Sequence, residues 1–212
     1  MKYKMLTTKE SILAWFETYV YRQPNDIHIS DDLIVDVIGN VDISQSSFKI
    51  KYIPFKFGKV SGQFICNIHM ETLAGCPTHV RNLTISNMLN LGSLKHISKH
   101  IGLDLYITGN KKLNNIDYLP VYIQRDLYIK DCGKSITFNE CDVRIMGYVS
   151  VLAADYVDCK YMPLGVETTV EVEHESWDIT DDKVKIYTDF ITKFEYTKGN
   201  IQYQEYLDLF GE

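Results

Sequence analysis

The chain has 212 residues, 45% of them hydrophobic, which is enough to bury a core without disulfide or metal staples. A net charge of −6 and a pI near 5.5 speak against a nucleic-acid partner, because phosphate binding needs a concentrated basic face and the linear sequence displays none. No apolar run reaches the roughly 20 residues of a membrane span and MKYKMLTTKES lacks a signal-peptide core, so the expectation is a soluble, cytoplasmic protein.

Near the N-terminus, Thr7-Thr8-Lys9-Glu10 has the T-x-x-E capping-box pattern, with Thr7 as the expected N-cap. Ile12, Leu13, Phe16, Tyr19 and Val20 recur at helical spacing to about Tyr21, and Gln23-Pro24-Asn25-Asp26 ends the run. Residues 1–26 therefore read as a helical cap that shields a first coil from water. Trp15 could instead contact a partner. Ile27, Ile29, Leu33, Val35 and Val37 then suggest one or two entry strands.

Residues 27–162 carry a repeat. Its clearest unit is LYITGNKKLNNIDYLP, residues 105–120, with the spacing L-x-L-x-x-N-x-x-L-x-x-L-x-x-L-P. Leu105 and Ile107 alternate as in a half-buried strand, Asn110 suits a corner with unpaired backbone groups, and Leu113, Ile116 and Leu119 bury the return path. Ile53/Val60, Leu73/Val80, Leu94/Ile101, Ile116/Ile123 and Ile136/Val143 are pairs with one internal spacing of seven, their closing residues 20, 21, 22 and 20 apart. Val41/Ile43, Phe64/Cys66, Leu83/Ile85, Leu105/Ile107 and Leu127/Ile129 form the strands ahead of them. The expected corner residues are Asn67, Asn87, Asn110 and Cys132, and Pro54, Pro77 and Pro120 recur near the return segment. One such coil cannot hide its own apolar face, so the units must stack. Five cysteines, an odd number without C-x-x-C spacing, read as reduced and buried; Cys66, Cys132 and Cys141 fall where neighbouring units carry apolar residues or Asn.

The units GQFICNIHMETLAGCPTHV, RNLTISNMLNLGSLKHISKHI and GLDLYITGNKKLNNIDYLPVYI resemble short leucine-rich repeats of the bacterial Leu-Pro kind. With the N-terminal helix, DDLIVDVIGNVDIS and IPFKFGKVSGQF, residues 7–143 resemble degenerate leucine-rich-repeat proteins encoded by tailed bacteriophages. The resemblance implies a right-handed α/β solenoid with a parallel β-sheet on its concave face and a role in interaction. The chain departs from the family's pattern at the enlarged segment 53–58, at Ser98 in place of the return proline, and at Glu140.

Beyond Val143 the register fades. Val149, Val151, Ala153, Tyr156 and Met162 suggest one imperfect coil, and Val166, Thr168, Val170 and Val172 a strand beside it. Residues 163–212 read as a C-terminal strand-helix cap: Val184, Tyr187, Ile191 and Phe194 lie at helical spacing, and Ile201 to Phe210 suggests a tail helix.

Several constellations bear on chemistry. His79 and His100 each precede a closing residue and should stack; with His96 and Cys76 they could hold zinc, yet Lys59, Tyr122 and Asp142 at the matching positions read as a solvated column. Polysaccharide lyases and glycosidases of similar coil length set acidic pairs on one sheet face. Here Asn82, Asp104 and Asp126 align outside the sheet, followed by Thr84, Tyr106 and Tyr128, no basic residue recurs between the aspartates, and they read as structural or solubilising. No nucleophile elbow, phosphate loop or zinc-protease motif is present, so neither catalysis nor a cofactor or metal is expected. The aromatic set is the expected partner-binding patch: Tyr106 and Tyr128 on adjacent strands, Tyr118 and Tyr122 on the loop between, and Asp104, Asp126 and Lys130 as polar rim. The expected function is non-catalytic protein recognition, by the resemblance of a bacterial host protein that the phage product blocks, with no nucleic acid or membrane involved. The alternative is a virion-associated or carbohydrate-binding β-solenoid.

Overall fold

A computed structural model of the chain describes residues 4–44, 49–138, 143–153, 156–157 and 167–172. All lie in the first of two compact units, Met1–Glu173. The helices expected after Thr180, along with Glu140, Cys141, Asp142 and Cys159, fall outside the described residues. No helix among the described residues is long and apolar enough to cross a membrane.

Helix α1 spans Lys9–Tyr19, and its N-cap is Thr8 rather than Thr7. Thr8 Oγ1 accepts from the Ser11 N–H at 3.2 Å, and Ser11 Oγ accepts from the Thr8 N–H at 3.4 Å. The box is therefore T-x-x-S, one residue later than T-x-x-E, because Ser11 reaches back as Glu10 was expected to; Glu10 instead lies in the first turn, where the helix dipole favours an acid. Ile12, Trp15 and Phe16 are buried. Trp15 meets Phe55 edge-on with ring centroids 5.0 Å apart, and Phe16 meets Phe57 at 5.7 Å. The enlarged segment 53–58 thus supplies the two rings on which the helix sits, and Trp15 is 7% exposed in that seat.

Strands follow in chain order: β1 Asp26–Ile29, β2 Ile34–Ile38, β3 Val41–Asp42, β4 Lys56–Ile65, β5 His79–Ser86, β6 His100–Ile101, β7 Leu105–Thr108, β8 Asn115–Ile116, β9 Tyr122–Ile123, β10 Leu127–Lys130, β11 Ser135–Phe138, β12 Arg144–Ile145, β13 Tyr148–Ala153, β14 Tyr156–Val157 and β15 Glu167–Val172. They build a β-solenoid of about five turns. Its main sheet runs β1-β2-β4-β5-β7-β10-β13-β15, with β1 antiparallel to β2 and the later pairs along that path parallel. The coil from Leu105 to Asp126 carries strand segments at three places (β7, β8 and β9), and the next coil repeats them as β10, β11 and β12.

The strand alternation is as expected. Phe64, Leu83, Leu105, Leu127 and Val149 are in register and buried, as are Ile85, Ile107, Ile129 and Val151. The closing residues Val60, Val80, Ile101 and Ile123 also align. The last pair is shifted: Phe138 and Ile145, not Ile136 and Val143, pair with Ile116 and Ile123. The spacing of seven survives, but a two-residue slip leaves alternation unchanged, so periodicity alone could not resolve it.

The corners are set by side-chain donors. Asn67 Nδ2 donates to the Ile43 carbonyl and Asn110 Nδ2 to that of Ile85, both at 2.9 Å, while Cys132 Sγ lies 3.4 Å from the carbonyl of Ile107. Each acceptor is the second inward strand residue of the preceding coil. In the intervening coil the buried corner residue is Met88, not Asn87. Asn87 has φ 53° and shares this left-handed position with Gly109 (φ 68°) and Asp131 (φ 50°), a conformation Asn and Asp tolerate better than most residues.

Candidate functional site: the outward sheet face

Alternation along β7 and β10 sends Tyr106 and Tyr128 outward while Leu105, Ile107, Leu127 and Ile129 are buried. The register places the two tyrosines side by side, and their rings stack with centroids 4.9 Å apart and planes 4° from parallel. Thr84 and Ser150 occupy the same row on either side.

Each phenol donates to the carboxylate two residues before it: Tyr106 Oη to Asp104 at 3.4 Å, and Tyr128 Oη to Asp126 at 3.2 Å. Partial burial, reinforced by the adjacent carboxylate, raises both phenol pKa values above their usual range.

Asp104 was expected on the solvated rim. It is 3% exposed, because Arg125 lies over it. Arg125 Nε donates to Asp104 Oδ1 at 2.6 Å, its terminal nitrogen bonds the other oxygen, and Nε also lies 3.6 Å from Asp126. The hydrogen bond to Asp104 and the two neighbouring negative charges raise the guanidinium pKa further. The expectation of no basic residue between the two aspartates is therefore corrected. Arg125 was missed because Asp104 and Arg125 lie 21 positions apart; the signal was the repeat length itself. Asp126 also accepts the Tyr148 N–H at 2.8 Å, and Asn82 accepts that of Asp104 at 3.1 Å, so this row ties each coil to the next. Lys130 is exposed in the same strand as Tyr128 and pairs in register with Thr108.

Tyr118 and Tyr122 do not belong to this cluster. Tyr118 sits at φ 56°, a position it shares with Gly75 and His96. Tyr122 is in β9, in register with His100, which is in register with His79. The two imidazoles stack as expected, centroids 4.5 Å apart and planes 3° from parallel, and His79 Nδ1 lies 3.1 Å from Thr78 Oγ1. His96 is exposed while Cys76 is buried, and no group of three His, Cys, Asp or Glu able to hold a metal occurs among the described residues. Cys66, Cys76 and Cys132 are free and buried. Hydrogen bonding to Cys66, together with burial, holds the Cys76 thiol well above the usual range, and burial raises that of Cys132.

Comparison with protein-family models, with curated proteins and with solved structures finds no match for this chain.

Proposed function

We propose that this chain is a non-catalytic protein-recognition module whose contact surface is the outward sheet face around Tyr106 and Tyr128, and, from the resemblance to phage leucine-rich-repeat proteins, that its target is a bacterial host protein that it blocks sterically. The observation that carries the reading is the stacked tyrosine pair: two large amphipathic rings fixed by each other and by Asp104 and Asp126, rimmed by Arg125 and Lys130. Side chains already held in place lose little rotamer entropy on binding, and tyrosine is enriched where interfaces carry their energy.

The carbohydrate-binding alternative has one observation in its favour, a coil with strand segments at three places, which is closer to a β-solenoid than to a repeat with one strand. Against it, a sugar stacks on an open ring face, and here each tyrosine covers one face of the other.

The test is a pulldown of the tagged protein from bacterial lysate, followed by calorimetric titration of any retained protein after purification. The expected result is one stoichiometric partner, bound by wild type and by Tyr106→Phe/Tyr128→Phe but lost with Tyr106→Ala/Tyr128→Ala, which keeps nearly the same melting temperature. An alanine variant that binds normally removes this face. Retention by a glycan array instead supports the alternative.

A further inference from the structure

The row that contains the stacked histidines also carries charge. Its outward residues, in register from β4 to β12, are Lys59, His79, His100, Tyr122 and Arg144. The last was expected to be Asp142; the two-residue slip puts an arginine there. Two further cations flank the row: Lys99, whose N–H bonds the Thr78 carbonyl, and Arg81, whose carbonyl accepts the Leu103 N–H. Lys59, Arg81, Lys99 and Arg144 are all exposed, and none pairs with a carboxylate among the described residues. Among the described residues Asp36 stands at the β2 end of the row, and its Oδ1 already accepts the Lys59 N–H at 2.7 Å.

Neighbouring strands lie about 4.8 Å apart, so Lys59 to Arg144 spans roughly 19 Å over four strand steps. Four fixed cations, with two imidazoles and a phenol between them, form a line of positive charge on a chain whose net charge is −6. Four cations are fewer than the roughly 6–10 phosphate contacts that give a nucleic-acid binder a 10³–10⁵-fold salt dependence, and the rest of the chain is acidic. The line suits a short acidic segment of a protein, where complementary charge steers encounter and sets register.

We infer that the row Lys59–His79–His100–Tyr122–Arg144, with Arg81 and Lys99, is a second docking surface, and that it takes an acidic polypeptide segment. The inference extends the protein-recognition reading to a second row of outward residues, carried by β6, β9 and β12 and by the start of β4 and β5, and does not need the tyrosine pair.

The test uses the full chain and a fluorescein-labelled ten-residue peptide of alternating glutamate and alanine, followed by anisotropy. Expected are saturable binding, several-fold weakening between 50 and 200 mM salt, and about a tenfold loss in Lys59→Gln/Arg81→Gln/Lys99→Gln/Arg144→Gln. All four side chains are exposed, so an unchanged melting curve certifies that variant as folded; if it fails to fold, the single Lys99→Gln and Arg144→Gln variants must each weaken binding. Tyr106→Ala/Tyr128→Ala should bind the peptide as wild type does, which separates this surface from the tyrosine face. No binding, or binding indifferent to the four substitutions, overturns the inference. Tighter binding of a ten-nucleotide single strand than of the peptide also overturns it, in favour of nucleic acid.

Discussion

Asn67, Asn110 and Cys132 do one job with different atoms. Both asparagines donate to the preceding coil, and Asn110 Oδ1 also accepts the Met88 N–H at 2.9 Å. Truncating Asn110 to alanine would leave the buried Met88 N–H without its acceptor and take one donor from the Ile85 carbonyl, and the expected loss is about 1–3 kcal/mol in urea denaturation. Cys132 stands in the same place with a weaker donor and acceptor. Cys132→Asn should therefore stabilise the fold, by about 1 kcal/mol, and a loss would show that the corner is too tight for the amide. The tyrosine pair sets a pH limit. A phenol with a raised folded pKa adds no penalty below its unfolded value of about 10, and stability then falls as pH rises through the folded value. Melting curves from pH 8 to 11 should show wild type losing more stability above pH 10 than Tyr106→Phe/Tyr128→Phe; parallel curves would contradict the raised values.

At the scale of elements, α1 and segment 53–58 explain each other. The segment looks like an irregularity in the repeat, yet Phe55 and Phe57 form the seat for Trp15 and Phe16. The cap residue gives a clean discrimination. Thr8→Ala should cost about 1 kcal/mol and Thr7→Ala close to nothing, measured by chemical denaturation. Equal costs would mean that the helix starts one residue earlier. The helix was legible because apolar residues recur at its period, while its first residue was not, since Thr7 and Thr8 both fit a capping pattern. For the same reason the strands were legible down to the paired residue for Phe64, Leu83, Leu105 and Leu127. Two errors, Asn87 for Met88 and Val143 for Ile145, arose where one extra left-handed residue or a slip of two preserves every local pattern.

On the scale of the whole molecule, the site was half visible. Tyr106 and Tyr128 could be aligned from the repeat, because like residues stack in register. The carboxylate beneath them could not, since its burial depends on an arginine from the next coil. The basic row was invisible for a related reason: its members are 20 to 22 positions apart, and no stretch of sequence looks basic.

The coil-to-coil register described above also dictates an order in time. Leu105 needs Leu83 and Leu127 needs Leu105, each 22 residues upstream, so a new coil needs only the one before it as a template. At ribosomal rates of about 5–20 residues per second, a coil of this length emerges every one to four seconds, far longer than a local pairing step takes. Growth can therefore run from the N-terminus behind the ribosome, starting from the aromatic seat of α1. Aggregation-prone exposure is then confined at each moment to the single unpaired edge of the newest coil.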